Sequence, residues 1–421
     1  MLNEKHGATA SDSTDARNVS ACPYFPPKRD MSHPFDPPPE LLKWLDEPVR
    51  QIRLWDDRLA WVITRYEDVR DVLRNEACVS VDPNRPGFPQ KSAAYAAVLG
   101  LDRTVRTIDN PEHGMQKRML MRDFTVRRIA ELETAITAMI NQCIDEILAK
   151  GPPGDLYNDL AFIVPTWVIC KLLGVPFDDR RFFADRSTAC ISHEVTFEEA
   201  AAAGQELYEY LDRIVTLKES NPEDDLLSYL VTQMREGNIT RRDLIALARF
   251  LLIAGHDSTA NTLGITTLAL LQHPSQLEDM KANLDDRSYM MNAADELLRY
   301  TSVAHTGRYR VTIAEIKVGG KVIPAGEALV LANNAADRDE TMFPDADRLD
   351  LRRSNARASL VFGEGIHQCL GQLLARREMM LYHRILWSRM PNLQLAVPFS
   401  QIKFNEANTV YAIETLPVTW S

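Results

Sequence analysis

The sequence predicts a mainly α fold with a minor β region, built as a single domain over residues 29–421. From Asp109 to about Tyr300 apolar residues recur at helical spacing almost without a break. Beyond residue 300 the texture changes to short strand-like runs divided by Gly319-Gly320 and Pro324-Ala325-Gly326. No internal repeat and no interdomain linker divides the 421 residues, although that length would allow two or three domains.

Residues 1–28 are polar and mixed in charge, end in Cys22-Pro23-Tyr24-Phe25-Pro26-Pro27, and read as a disordered tail. They contain no apolar run of the kind a signal peptide needs. Pro34 to Pro39 leads into a short helix around Glu40–Asp46, and Gln51–Leu54 with Ala60–Thr64 predicts a hairpin. A helix over Tyr66–Arg74 follows. Between Ser80 and Arg106 three prolines and two glycines break any periodicity, and so long a loop is usually functional or mobile. Helices are predicted at 111–122, 126–150, 158–174, 179–191, 197–219, 224–236, 241–271, 274–284 and 287–300. The one at 241–271 is the clearest. Thr240 and Asp243 form a capping-box pattern at its start, His273-Pro274 stops it, and its apolar middle predicts burial. Strands are predicted at Arg310–Val311, Ile316–Val318, Lys321–Ile323 and Ala328–Ala332, and Leu393–Val418 shares that character.

A net charge of −11 argues against nucleic acid or an anionic membrane as partner. Six scattered cysteines without a C-x-x-C pair argue against zinc, an iron–sulfur cluster and a disulfide framework, and suit a reducing, cytoplasmic setting. No run reaches the roughly 20 apolar residues of a spanning helix, so no membrane anchor is expected.

Chemistry concentrates at Phe362-Gly363-Glu364-Gly365-Ile366-His367-Gln368-Cys369-Leu370-Gly371, followed by an amphipathic run from Gln372 to about Trp387. The glycines allow tight reversal of the backbone, and the following helix directs its N-terminus at the sulfur; both favour a thiolate. Taken alone, Cys369 could equally be a small core residue between two turns. The full pattern F-G-x-G-x-H-x-C-x-G resembles the haem-ligand loop of cytochromes P450, where the cysteine is the axial thiolate on iron.

The resemblance extends from about Pro34 to Val418 and implies the cytochrome P450 fold. Glu296 and Arg299 lie on one helix face; alone they would be a surface ion pair, whereas the family's E-x-x-R pair is buried and locks to an arginine in the meander, here within Ala336–Arg353. Ala254-Gly255-His256-Asp257-Ser258-Thr259 can be close packing with a local kink, and it also resembles the oxygen-activation motif. That resemblance implies a proton-relaying acid at Asp257 and an alcohol at Ser258, where threonine is usual, with Thr259 able to assist; His256 is given no catalytic role. Asp109 to Arg118 resembles the segment whose histidine and a cation four residues later meet the haem propionates. It assigns His113 and Lys117, with lysine where arginine is usual. Arg310 and His367 complete the implied propionate contacts.

The implied cofactor is heme b (iron protoporphyrin IX), and the implied activity is a monooxygenase that inserts one atom of O2 into a C–H bond. The alternatives are a nitric-oxide reductase or a peroxygenase of the same fold; the Asp257-Ser258 pair favours the monooxygenase. A non-catalytic haem protein would consume no reductant. By register the pocket is expected to be lined by Phe250, Ile253, Ala254, Val303 to Thr306, the 80–106 loop and the turn at Thr409-Val410, an apolar mix suited to a hydrophobic small molecule. Arg308 and His305 are candidates for holding a polar group, and Arg308 is equally placed to pair with a propionate. No flavin or iron–sulfur motif is present, so a ferredoxin-type partner is expected, docking on a basic patch of Arg118, Arg122, Arg376 and Arg377.

Overall fold

The computed structural model describes residues 22–92, 94–96 and 103–421. Most of the expected tail, residues 1–21, and part of the 80–106 loop, residues 93 and 97–102, lie outside the described residues. The expected domain boundary at residue 29 moves back to at least Cys22. Tyr24 bridges to Arg53, the Phe25 N–H donates to the Arg53 carbonyl at 2.8 Å, and Phe25 is only 4% exposed. Its ring packs with Leu41, Trp44, Ile52 and Val330, so apolar burial anchors a stretch whose prolines suggested disorder.

The first part of the chain gives α1 (Pro39–Lys43), β1 (Val49–Arg53), β2 (Leu59–Ile63), α2 (Tyr66–Arg74), β3 (Val79–Ser80), α3 (Glu112–Met121) and α4 (Val126–Lys150). In α4 the buried Ile129, Ile136, Ile140, Ile144 and Ile147 fall on one helical stripe, and the Thr125 hydroxyl accepts from the Arg128 N–H to cap it. β4 (Gly154–Asp155) precedes a break in the expected 158–174 helix. Tyr157–Ala161 is one π turn, closed by the Phe162 N–H on the Tyr157 carbonyl at 2.8 Å, and α5 (Ile163–Leu173) continues from it. The wider turn seats Tyr157 against the long helix, where the Tyr157 hydroxyl donates to Asn261 Oδ1 at 3.1 Å.

α6 (Arg180–Ile191), α7 (Phe197–Ser220) and α8 (Leu226–Arg235) lead to α9 (Arg241–Gln272), then α10 (Pro274–Ala282) and α11 (Arg287–Thr301). The 32 residues of α9 span roughly 48 Å at the usual rise. The expected capping box is present: Asp243 N–H to Thr240 Oγ1 at 3.1 Å, and Thr240 N–H to Asp243 Oδ2 at 3.0 Å. α9 lies in the largest apolar core, together with residues of α4, α5, α8 and α11. Gly255 permits this closeness, because a Cβ there would sit 2.8 Å from the Ile169 side chain of α5. The room left by that glycine is thus filled in part by packing.

The β region contains β5 (Arg308–Thr312), β6 (Ile316–Val318), β7 (Lys321–Ile323) and β8 (Ala328–Leu331), followed by α12 (Asn333–Ala336), α13 (Gln372–Arg389), β9 (Gln394–Leu395), β10 (Phe404–Asn405), β11 (Ala412–Ile413) and β12 (Pro417–Thr419). One sheet runs β1-β2-β8-β5-β3, with β2 parallel to β8 and the other pairs antiparallel. β5 sits inside it, and Arg308 and Arg310, two residues apart, project to one face. Among the described residues no helix is long and apolar enough to cross a membrane.

Candidate active site

Ala254 in the middle of α9 and Cys369 before α13 lie deep in the fold yet are exposed, because both border an internal cavity of about 400 Å³. Phe250, Leu251, Ala254, Gly255, Ser258, Thr259 and Thr262 of α9 form one wall, and Pro165, Val168 and Ile169 of α5 extend it.

The cysteine loop is closed by the Cys369 N–H on the Phe362 carbonyl at 2.9 Å. Gly363 and Gly365 have φ of 71° and 76°, and a Cβ on Gly365 would lie 2.6 Å from the Leu73 carbonyl oxygen, so only glycine fits there. Burial pushes the Cys369 thiol up, opposed by the N–H groups of Gly371 and Gln372 and by the Arg308 and Arg376 guanidiniums. The expected thiolate-favouring groups are present, but in the protein alone desolvation outweighs them. Coordination to a cation would reverse that balance.

One side of the cavity is basic. The His113 and His367 rings lie 4.3 Å apart between centroids, His367 Nδ1 is 3.1 Å from the Val105 carbonyl oxygen, and Lys117 Nζ donates to the Ile366 carbonyl at 2.6 Å. Arg308 donates to the Val361 carbonyl at 2.7 Å and Arg310 to the Tyr309 carbonyl at 2.8 Å. Burial lowers the pKa of each group, to about 3 for His367, with Arg310 and His113 adding repulsion, and to about 9 for Arg310. His367 Nε2 and Arg308 Nε are buried without a hydrogen-bond partner. Buried donors and cations that lack counter-charge, placed around a cavity that also receives a thiol, fit a dianionic, iron-bearing cofactor such as haem. His113, Lys117, Arg310, His367 and Cys369 all line this cavity.

Around α9 the cavity row is centred near Leu251 and Ser258. Phe250 and Ala254 lie on it as expected, with Ser258 and Thr259. Ile253 does not line the cavity, a correction to the expected pocket: Ile253 and Asp257, four apart, share the neighbouring face. Asp257 Oδ1 accepts from Asn261 Nδ2 at 3.2 Å, while Oδ2 is buried and unpartnered, and burial raises this carboxyl's pKa. Ser258 donates to the Ala254 carbonyl at 2.8 Å, leaving its oxygen lone pairs for the cavity. His256 is a packing residue, 1% exposed, with its ring centroid 5.7 Å from that of Phe183.

Two further pocket expectations are corrected, because both side chains are held one layer back. Thr306 accepts a hydrogen bond from Lys91 Nζ at 2.8 Å, and Thr409 pairs with His193 Nε2 at 3.3 Å; neither lines the cavity. His305 is committed to the Asn408 carbonyl at 2.8 Å. The basic patch is corrected too. Arg376 is 4% exposed and paired to Asp295, Arg377 lies 3.4 Å from Glu133, and Arg118 and Arg122 are exposed, with Arg122 3.2 Å from Asp224. Away from the cavity, Glu296 and Arg299 form a fully buried pair at 2.7 Å, and Arg353 reaches the same carboxylate at 3.1 Å.

Sequence reasoning missed Glu378, the acidic residue among those that line the cavity. It sits on the helical row of Leu374 and Leu381 on α13, four residues after one and three before the other, which is the signal that would have found it. Burial pushes its carboxyl up to about 8, and Oε2 has no partner. The folded state therefore keeps a proton that the unfolded chain releases above about pH 4.3, and stability falls as pH rises from there to about 8. Glu378→Gln is expected to gain on the parent protein across that window by up to about 1.4 kcal/mol per pH unit in urea unfolding. A difference independent of pH would show that Glu378 is ionised in the fold.

Residues 54–389 match the family model described as Cytochrome P450. Cytochrome P450 GfsF of Streptomyces halstedii is 40% identical over 400 residues, covering 94% of this chain and 96% of that protein. The crystal structure of GfsF has a TM-score of 0.87 and covers 95% of this chain and 100% of that one. Vitamin D3 dihydroxylase of Streptomyces griseolus is 38% identical over 414 residues, covering 98% and 99%. The mycinamicin VIII C21 methyl hydroxylase MycCI of Micromonospora griseorubida, solved with mycinamicin VIII, is 34% identical with a TM-score of 0.86, covering 94% and 100%.

Proposed function

This chain belongs to the cytochrome P450 family of haem b monooxygenases, and from that premise we propose that it inserts one oxygen atom of O2 into a C–H bond of a hydrophobic small molecule, with electrons from a ferredoxin-type partner. The observation that carries this reading is one cavity bordered by Cys369, by the Ser258 and Thr259 side chains and by an apolar wall from α5 and α9. Two relatives whose names describe hydroxylation, of vitamin D3 and of mycinamicin VIII, support it.

Haem b, when bound, supplies the oxygen activation. Cys369 would hold the iron through its sulfur, and the Gly371 and Gln372 N–H groups with Arg308 and Arg376 favour the thiolate charge. His113, Lys117, Arg310 and His367, which line the cavity, would hold the two carboxylates of the cofactor. Phe250, Val168 and Ile169 exclude water and seat an apolar substrate. Asp257 Oδ2, buried and unpartnered near the Tyr157–Asn261 contact, is placed to pass a proton, and Ser258 Oγ, already donating to Ala254, accepts a hydrogen bond from the cavity and orients the donor there. Sequence supports an external electron source, and exposed Arg118 and Arg122 lie towards the end of the helix that carries His113 and Lys117.

Turnover of terpenoid, steroid, macrolide and aromatic compounds under 18O2 with a ferredoxin and its reductase is expected to yield a product carrying one labelled oxygen. Reductant-independent product, or label arriving from water, would overturn the reading. Ser258→Ala is expected to keep consuming reductant while product per reductant falls by about tenfold or more. Unchanged coupling would remove Ser258 from the proton path.

A further inference from the structure

Besides the group around His367, two further basic side chains line the cavity. Lys91 and Arg106, both from the irregular 80–106 segment, line it beside Tyr95 and Tyr309. Lys91 Nζ donates to Thr306 Oγ1 at 2.8 Å and lies 5.3 Å from the Tyr95 ring centroid and 5.2 Å from that of Tyr309. The Arg106 guanidinium lies 5.0 Å from the same Tyr95 ring, so two cations lean on one aromatic side chain. Among the described residues no carboxylate pairs with either. Burial and mutual repulsion with Arg308 push Lys91 well down and Arg106 to about 10. Glu378, the acid on the cavity wall, stands on α13 and is held neutral at pH 7. The cofactor's two carboxylates have their own group, in which His113, Lys117 and Arg310 surround His367.

Lys91 and Arg106 border the cavity, are held by aromatic rings and a threonine, and have no carboxylate partner among the described residues, so the pair is open to an incoming anion. We propose that Lys91 and Arg106 form an anion-recognition subsite of the substrate cavity, and that the substrate is a hydrophobic molecule bearing a carboxylate. The proposal rests on the monooxygenase reading and narrows its substrate class. A carboxylate suits the pair because the arginine fork binds it bidentately and the lysine adds a point charge. The apolar wall of Phe250, Val168 and Ile169 then takes the hydrocarbon body. Thr306, one layer back, acts by positioning Lys91.

The test is titration of the ferric holoenzyme with ω-(imidazol-1-yl)alkanoic acids of increasing chain length, and with their methyl esters, read by the Soret shift of azole ligation. At the chain length that reaches the subsite the acid is expected to bind about tenfold or more tighter than its ester, the size of one charge-assisted hydrogen bond. Lys91→Met and Arg106→Gln are each expected to abolish most of that preference while ester affinity stays unchanged. Equal affinity of acid and ester at every length, or equal loss of both in the variants, would overturn the proposal. Loss of haem from Arg106→Gln would assign that arginine to the cofactor and overturn it as well. Absence of a Soret band in haem-replete protein would overturn the haem reading, and this proposal with it.

Discussion

Glu296→Ala is expected to cost about 3–5 kcal/mol, enough to leave little folded, haem-loaded protein. The Glu296 carboxylate is fully buried between Arg299 at 2.7 Å and Arg353 at 3.1 Å, and it also accepts the Asp350 N–H at 3.0 Å. Its removal strands two guanidiniums in the core. Those guanidiniums in turn hold backbone: Arg299 donates to the Asp337 and Ala346 carbonyls at 2.8 and 2.9 Å, and Arg353 to the Pro344 and Asp345 carbonyls at 2.6 and 2.9 Å. The segment so fastened leads into the cysteine loop, so the loss propagates to the cofactor site. Urea unfolding read by both tryptophan fluorescence and Soret absorbance measures it. A loss under about 1 kcal/mol would mean that the pair is no more than a surface contact in its energetics.

The second large effect is at Cys369. Cys369→Ala removes the soft ligand while leaving the basic wall of His113, Lys117, Arg310 and His367 in place. Haem is expected to be retained at least in part through its carboxylates, while C–H hydroxylation falls below detection because the thiolate push on iron is gone. Hydroxylation at the parent rate with the variant would remove Cys369 from the mechanism.

Much of this architecture is legible in the sequence, for reasons that the exceptions make plain. Helices such as α2 and α4 were readable because their apolar stripes and ends are local, and the Thr240–Asp243 box announces α9 in four residues. The π turn at Tyr157–Ala161 was not, since one extra residue in a turn leaves the apolar pattern almost unchanged. The cavity wall was readable only to within one helical row: Phe250 and Ala254 lie on it, while Ile253 sits about 100° round the helix from Ala254. Arg376 looked like surface charge because Asp295, its partner, is 81 residues away in sequence. Thr306 and Thr409 were near the site but screened by Lys91 and His193, contacts that no local pattern encodes. Phe25 was hidden by the prolines around it, which mimic a disordered tail while its ring fills the core beside β1.

The absorption spectrum of the purified, reduced protein under carbon monoxide tests the central claim most directly. A strongly red-shifted Soret band that is lost in Cys369→Ala is the predicted result, and it would establish thiolate-ligated haem in this cavity. A band at the position of histidine-ligated or neutral-thiol haem, or no Soret band in haem-replete protein, would contradict it.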